Sequence, residues 1–346
     1  MLIQEFEGAM GFEVLQEEWD WLAGQSSTAT FFSTREWLRH WWNCFGTQGD
    51  LWLVAIRSPA GELWGLAPWF VHSAEGGQRV IRRLGNVNTC DYMDLLVHRD
   101  HEGPTLKALW DHLEERLDCG DFLELRAIPD SSPTLVLIPS LAKSAGYEVW
   151  LELEESCPGI QLPEDWETYL GHLGQKDRHE LRRKLRRAEQ RAQLAFYTLE
   201  ETEPIREAMP SFLELHAKSG ASKAEFMDPQ MKRFFLSLPE ALGPVGQIQL
   251  SFLSADGHRI AGLLCLRYRE TLYVYNSGYD PDYSPLSPGI ILVARVIQEA
   301  IERGYRRVDF LRGREAYKYR FGAVDFLTYQ LRVKKPGSGG RWLSIG

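Results

Sequence analysis

The stretch from Leu272 to Gly322, LYVYNSGYDPDYSPLSPGIILVARVIQEAIERGYRRVDFLRGREAYKYRFG, constrains the fold of this chain more than any other. Tyr273, Val274 and Tyr275 favour a pleated backbone, and Gly278 punctuates the end of that strand. A polar loop follows. From Pro288 onward Ile290, Val293, Ala294, Ile297, Ala300 and Ile301 recur at helical spacing, with Gly304 placed to stop the helix. Ser287 is then the natural N-cap and Pro288 the first helical residue, where its missing N–H costs nothing. Gly289 leaves room for a ligand to approach the backbone. A strand leading into such a helix start offers free N–H groups and the positive end of the helix dipole together, which suits phosphate. Ser-Pro-Gly also begins ordinary capped surface helices, so the tripeptide needs context.

The 346 residues suffice for two ordinary domains. The formal net charge of −9 argues against a surface that attracts nucleic acid as a whole, while leaving room for a local basic patch. The start, MLIQEFEGAM, has neither a basic run nor an apolar segment of signal length, so a mature cytoplasmic protein is expected. No segment approaches the ~18 consecutive apolar residues of a membrane span. Cys44, Cys90, Cys119, Cys157 and Cys265 lack CxxC spacing, so neither a metal site nor a disulfide framework is expected. Cys90, in NVNTCDYMD, has a nucleophilic reading beside the commoner one of a small buried thiol.

In the first half, helices are expected over 12–22 and 33–45, strands over 51–57, 63–72, 79–84 and 92–97, a helix over 104–117, a strand over 122–127, a helix over 135–144 and a strand over 147–153. The segment EESCPGIQLPE, Glu154 to Glu164, carries two prolines and a glycine and reads as an interdomain connection. It divides the chain into 1–155 and 156–346. The second half opens with a helix from Asp165 to Arg191, broken near Gly171 to Gly174. In its later part Lys176, Arg178, Arg182, Arg183, Lys184, Arg186, Arg187 and Arg191 surround a narrow stripe of Leu181, Leu185 and Ala188. A solvated face is the ordinary explanation of such charge; phosphate, an anionic saccharide, a membrane surface or RNA are the functional ones. A strand over 194–199, helices over 204–218 and 228–238, and a three-strand meander over 247–277 with tight turns at Asp256-Gly257 and Arg269-Glu270 lead into the 272–322 stretch. After it comes a closing strand over 326–333. The two halves share this order, and EERLDCGDFLELRAI in one echoes IERGYRRVDFLRG in the other, which suggests two copies of one α/β module.

That order resembles the GNAT N-acetyltransferase fold. The basic RRKLRR helix, LELH at 213–216, IAGLL at 260–264, YNSGYDP at 275–281, SPG at 287–289 and YKYRFG at 317–322 resemble the BioF2-like or CelD-type acyltransferases, tandem GNAT proteins also similar to the Fem peptidyltransferases. FSTREWLRHWW, GLAPWF and DYMDLL extend the resemblance over nearly the whole chain. It implies an α/β fold of two tandem GNAT-like modules, each a mixed, mainly antiparallel sheet flanked by helices. It also implies direct acyl transfer, without a covalent enzyme intermediate, from acyl-CoA to an amine on a small molecule or saccharide, with a hint of exopolysaccharide or cell-envelope biosynthesis. The working site would lie in the second module, the first shaping the acceptor pocket. The donor arm would follow Tyr275, Asn276, Ser277 and Gly278, and its pyrophosphate would meet Ser287, Pro288 and Gly289. One departure stands out: this loop offers one glycine and a proline where the family has several backbone donors.

Acylating an amine needs a neutral nucleophile, donors for the developing oxyanion and a route for the departing proton. Asp309 and Glu315 are the candidate proton acceptors, each with an alternative reading as a hydrogen-bonded surface or strand-end carboxylate. Tyr317 is a candidate donor to the thiolate and Lys318 a candidate holder of carboxylate or phosphate, both with packing alternatives. His216 is a substrate contact or base, or a satisfied helix histidine. Two other functions remain in view: aminoacyl-tRNA-dependent transfer in the manner of the Fem proteins, and a non-catalytic scaffold.

Overall fold

In the second half, tight turns fix the sheet before packing does. Asp256 and Gly257 both adopt left-handed backbone (φ 51° and 84°), so Ile248–Ala255 folds back on His258–Tyr268 as an antiparallel pair. Arg269, at φ 51°, returns the chain into Thr271–Tyr279. The computed structural model describes residues 1–46, 49–73 and 78–336.

The chain divides into two compact units, Ser156–Phe326 and a unit formed by Met1–Glu155 with Leu327–Gly346. In the Ser156–Phe326 unit the strands run in the order Glu148–Gln161 (through its last residues), Arg307–Asp309, Thr271–Tyr279, His258–Tyr268, Ile248–Ala255 and Leu194–Leu199. Only Thr271–Tyr279 and Arg307–Asp309 are parallel, and the helix Pro288–Glu302 connects them. That helix buries Ile291, Leu292, Ala294, Val296, Ile297 and Ala300, and its core continues into Leu181 and Ala188 of the basic helix Gln175–Arg191. Each isoleucine, leucine or valine side chain buried in this way contributes roughly 1.5–3 kcal/mol.

The other unit repeats the scheme. Strands Leu2–Glu7, Asp50–Arg57, Leu63–Ser73, Arg79–Arg83 and Phe122–Pro129 are neighbours in that order, and Val324–Lys334 pairs with the last of them. Arg79–Arg83 and Phe122–Pro129 are parallel, on either side of the helix Glu102–Arg116. Here Arg83 is fully buried and donates to the carbonyls of Asp94, Leu84 and Phe32, which ties down the segment after its strand. The helix that follows starts with Glu102, an acid unfavourable to phosphate.

Several expectations need correction. The strand Leu2–Glu7 was not anticipated, because an edge strand with Gln4, Glu5 and Glu7 lacks a clean apolar alternation. The expected connection 154–164 is largely strand: Glu148–Gln161 continues through Pro158, whose carbonyl accepts from Phe310 N–H, and Gly159, which pairs with Asp309. Of the strand expected over 92–97 only Leu96–Val97 forms, since Arg83 holds the preceding loop. The second module does not extend to 346. From Leu327 the closing strand belongs to the first unit, where Thr328 to Lys334 pair with Phe122 to Pro129. Cys90 is buried with Trp37 Nε1 donating to its sulfur, and burial pushes its thiol pKa up, against nucleophilic use.

Candidate functional site

The parallel pairing that defines the site is short. Thr271, Leu272 and Tyr273 match Arg307, Val308 and Asp309, and the register ends there. On its other edge the strand runs on to Tyr279, bulging at Tyr275, because the pairing jumps from Leu264↔Asn276 to Cys265↔Val274. Leu311, at φ 59°, turns the neighbouring chain away. Val274 to Tyr279 therefore present a backbone edge past the end of their parallel partner, an arrangement that can take an extended ligand arm.

Beyond Tyr279 the turn Pro281–Leu286 leads to Ser287, which adopts the left-handed conformation (φ 57°, ψ 50°). Ser287 does not cap the helix with its side chain, contrary to expectation. Its hydroxyl faces the basic helix and accepts from Lys184 Nζ at 3.1 Å and from an Arg187 Nη at 3.2 Å. Two cations thus meet at the helix start, one turn apart on a helix docked by its apolar stripe. Lys184 also lies 3.6 Å from Glu180. Pro288 is buried, and Gly289 is half-buried in the first turn.

At the far end of the strand, Gly278 brings the backbone against the helix Thr202–Lys218. A Cβ there would collide with the backbone N and Cα of His216, so only glycine fits. His216 is 2% exposed, its Nδ1 has no hydrogen-bond partner, and burial, then the nearby charge of Lys223, push its pKa down to about 4 against a bond with Asn276. Tyr275 stacks on Phe235 with centroids 5.8 Å apart, and Asn276 Oδ1 accepts from Ser277 N–H. Lys223, on the short helix Ala221–Phe226, donates to Ser277 O at 2.5 Å. Burial lowers its pKa, opposed by the carboxylate of Glu315.

The residues after Asp309 form a clamped loop. Lys318 is 2% exposed and donates to the carbonyls of Leu311 (3.1 Å), Arg312 (2.7 Å) and Gly313 (3.0 Å), with Glu315 Oε2 at 2.9 Å. Asp309, 1% exposed, accepts from Arg307 at 2.6 Å and from Leu311 N–H at 2.8 Å. Both side chains hold groups of this loop. Glu315 is exposed, while Tyr317 packs edge-on against Phe310, and burial pushes its phenol pKa up, with the charge of Glu315 adding to this.

Tyr275, Asn276, Ser277, Gly278 and His216 thus gather at the bulged strand end, with the field of Glu315 reaching Lys223 there and Tyr317 beyond. Ser287, Pro288 and Gly289 form a separate cationic corner. Sequence reasoning did not single out Lys184 and Arg187 from the eight cations of their helix, although they share its face with the Leu181/Leu185/Ala188 stripe. It missed Lys223 altogether, since a lysine in a short unanticipated helix gives no signal.

Residues 175–319 match the acetyltransferase (GNAT) domain family. The matched residues span the basic helix, the bulged strand and the clamped loop, and domains of that family generally use acyl-CoA. No curated protein matches the sequence significantly. Among solved structures, FemX is similar with a TM-score of 0.68 at 11% identity, over 95% of this chain and 96% of that one. L-PGS from Bacillus licheniformis gives 0.54 at 12%, over 91% and 90%. A tandem GNAT protein from the clavulanic acid biosynthesis pathway gives 0.51 at 13%, over 97% and 100%. Identities this low establish the fold alone. The fold is a mixed α/β one of tandem GNAT-like modules, each a mainly antiparallel sheet flanked by helices. No helix among the described residues is long and apolar enough to cross a membrane.

Proposed function

We propose that the Ser156–Phe326 unit is an N-acyltransferase that moves an acyl group from acyl-CoA to an amine by direct attack, without a covalent enzyme intermediate. The observation that carries this reading is the convergence of Lys184 and Arg187 on Ser287 at the positive end of the helix Pro288–Glu302. Two cations sharing one neutral hydroxyl offer a diphosphate the charge that the single glycine of the loop cannot supply. The bulged strand end from Val274 to Gly278, which runs past the end of its parallel partner, supports an amide-bearing arm running from that corner toward His216.

In the reaction the amine nitrogen attacks the thioester carbonyl carbon. The C–N bond forms, the C–S bond breaks, the nitrogen loses a proton and the departing thiolate gains one, giving an amide and free CoA. Glu315 is the proton acceptor in this scheme, being the exposed carboxylate of the group. Tyr317, held protonated by burial, supplies the thiolate's proton. Asp309 and Lys318 shape the loop, and neutral His216 contacts substrate. The acceptor is a small molecule or saccharide bearing an amine.

The test is incubation with acetyl-CoA and a panel of amines, reading free thiol and amide mass. Tyr317→Phe and Glu315→Gln are each expected to lower kcat by roughly 10²-fold with little change in KM for acyl-CoA. Full rates in both variants, or no thiol release with any amine, would refute the scheme. A second reading, aminoacyl-tRNA-dependent transfer, has one observation in its favour: Lys176, Arg178, Arg186 and Arg191 of the basic helix have no carboxylate partner among the described residues. RNA binding whose affinity falls steeply with salt would support it.

A further inference from the structure

Lys223 is a half-buried cation that the scheme above does not use. Its ammonium has three N–H donors, and one of them reaches Ser277 O. No carboxylate lies within 4.0 Å of it among the described residues, although Glu315 is near enough for its charge to act on the lysine. Glu315 itself is tied to Lys318 and otherwise open to solvent. A partly buried ammonium bonded only to a neutral carbonyl is an incomplete arrangement, because desolvation penalises the charge and no anion compensates it.

Lys223 bonds to Ser277 O at the bulged end of the strand, where the transferable acyl group would arrive, and Glu315, held by Lys318, is near enough for its charge to act on the lysine. On the strength of the acyltransferase reading, we propose that the acceptor carries a carboxylate close to its amine, as an amino acid or peptide does, and that Lys223 binds this carboxylate while Glu315 faces the amine. Lys223 is thus a specificity-determining residue: it selects among amines and does not move the proton. The carboxylate supplies the anion that Lys223 lacks, and pairing the two orients the amine nitrogen toward Glu315. An amine without that carboxylate leaves the lysine as uncompensated as it is in the free protein, so the site discriminates by a missing partner rather than by a clash.

The test uses the intact protein and a panel of amino acids and dipeptides, each paired with its C-terminal amide, which removes the charge at nearly constant shape. Binding is measured calorimetrically in the presence of CoA, and KM and kcat are measured with acetyl-CoA. The expected result is at least a tenfold preference for one or more free carboxylates over the matching amide. Lys223→Met should abolish that preference by raising the carboxylate's Kd and KM while leaving the amide's unchanged, and Lys223→Arg should restore part of it. Equal binding of acid and amide across the panel would overturn the proposal, as would an equal loss on both in Lys223→Met. A parallel titration of Lys223→Met with acetyl-CoA alone reports the donor site and the integrity of the fold. Donor binding retained with no acid preference defeats this inference only, whereas donor binding absent from wild type and variant alike defeats the acyltransferase reading as well.

Discussion

Replacing Gly289 with aspartate separates the fold of the phosphate corner from its function. A Cβ built at Gly289 meets nothing closer than Tyr279 Cδ1 at 3.7 Å, an ordinary contact, and its backbone is not left-handed, so the side chain is accommodated. In the first turn a carboxylate interacts favourably with the dipole, contributing about 0.3–1 kcal/mol, and aspartate is a somewhat better helix former than glycine. Stability should therefore stay level or rise. Toward a phosphate the same carboxylate acts in the opposite sense. At about 5 Å and an effective dielectric constant near 20, two unit charges repel by about 3 kcal/mol, and solvent at this half-buried corner reduces that to about 1.5 kcal/mol. The introduced carboxylate would also compete for Lys184 and Arg187, which now donate to Ser287. The predicted outcome for Gly289→Asp is at least a tenfold loss of acyl-CoA affinity by calorimetry with an unchanged or higher Tm. Wild-type affinity in a well-folded variant would refute the location of the phosphate site.

Further predictions concern the scaffold. Gly278→Ala drives a methyl group into the backbone of His216 and should cost about 3 kcal/mol or more in denaturant unfolding; a neutral result would contradict the close approach. Lys318→Met leaves the carbonyls of Leu311, Arg312 and Gly313 without their donor, for a loss of about 3 kcal/mol and faster hydrogen exchange over 310–314. His216 has a folded pKa of about 4, below the ordinary ~6.5, so the unfolded chain binds the extra proton between those values. Its contribution is complete above pH 6.5 and is lost as the pH falls toward 4, on the order of 1–3 kcal/mol, and His216→Gln should flatten that part of the stability profile. An unaltered profile would show that another group titrates there.

Local chemistry made most of the second unit legible. The Ser-Pro-Gly helix start, the turn at Asp256-Gly257 and the break near Gly171 each rest on backbone preferences that survive folding. What could not be read were features set by partners distant in sequence. The strand through Pro158 forms because Phe310 and Asp309 pair with it, and the closing strand leaves the second unit because Phe122–Pro129 accepts it. In the site, YKYRFG marked Lys318 as noteworthy without showing that three carbonyls occupy it, and Ser287 read as a cap when its hydroxyl meets two side chains about a hundred residues earlier. Lys223 became visible only when helix and strand were brought together.

The central claim, that this unit takes an acyl-CoA donor at the Ser287 corner, is tested most directly by titrating wild-type protein with acetyl-CoA and longer acyl-CoAs at low salt. The account predicts saturable binding at one site, weakened by roughly 10–100-fold in Lys184→Ala and in Arg187→Ala, as expected for removing a hydrogen bond to a charged group. Absence of binding by every acyl-CoA, or binding that neither substitution affects, would contradict it.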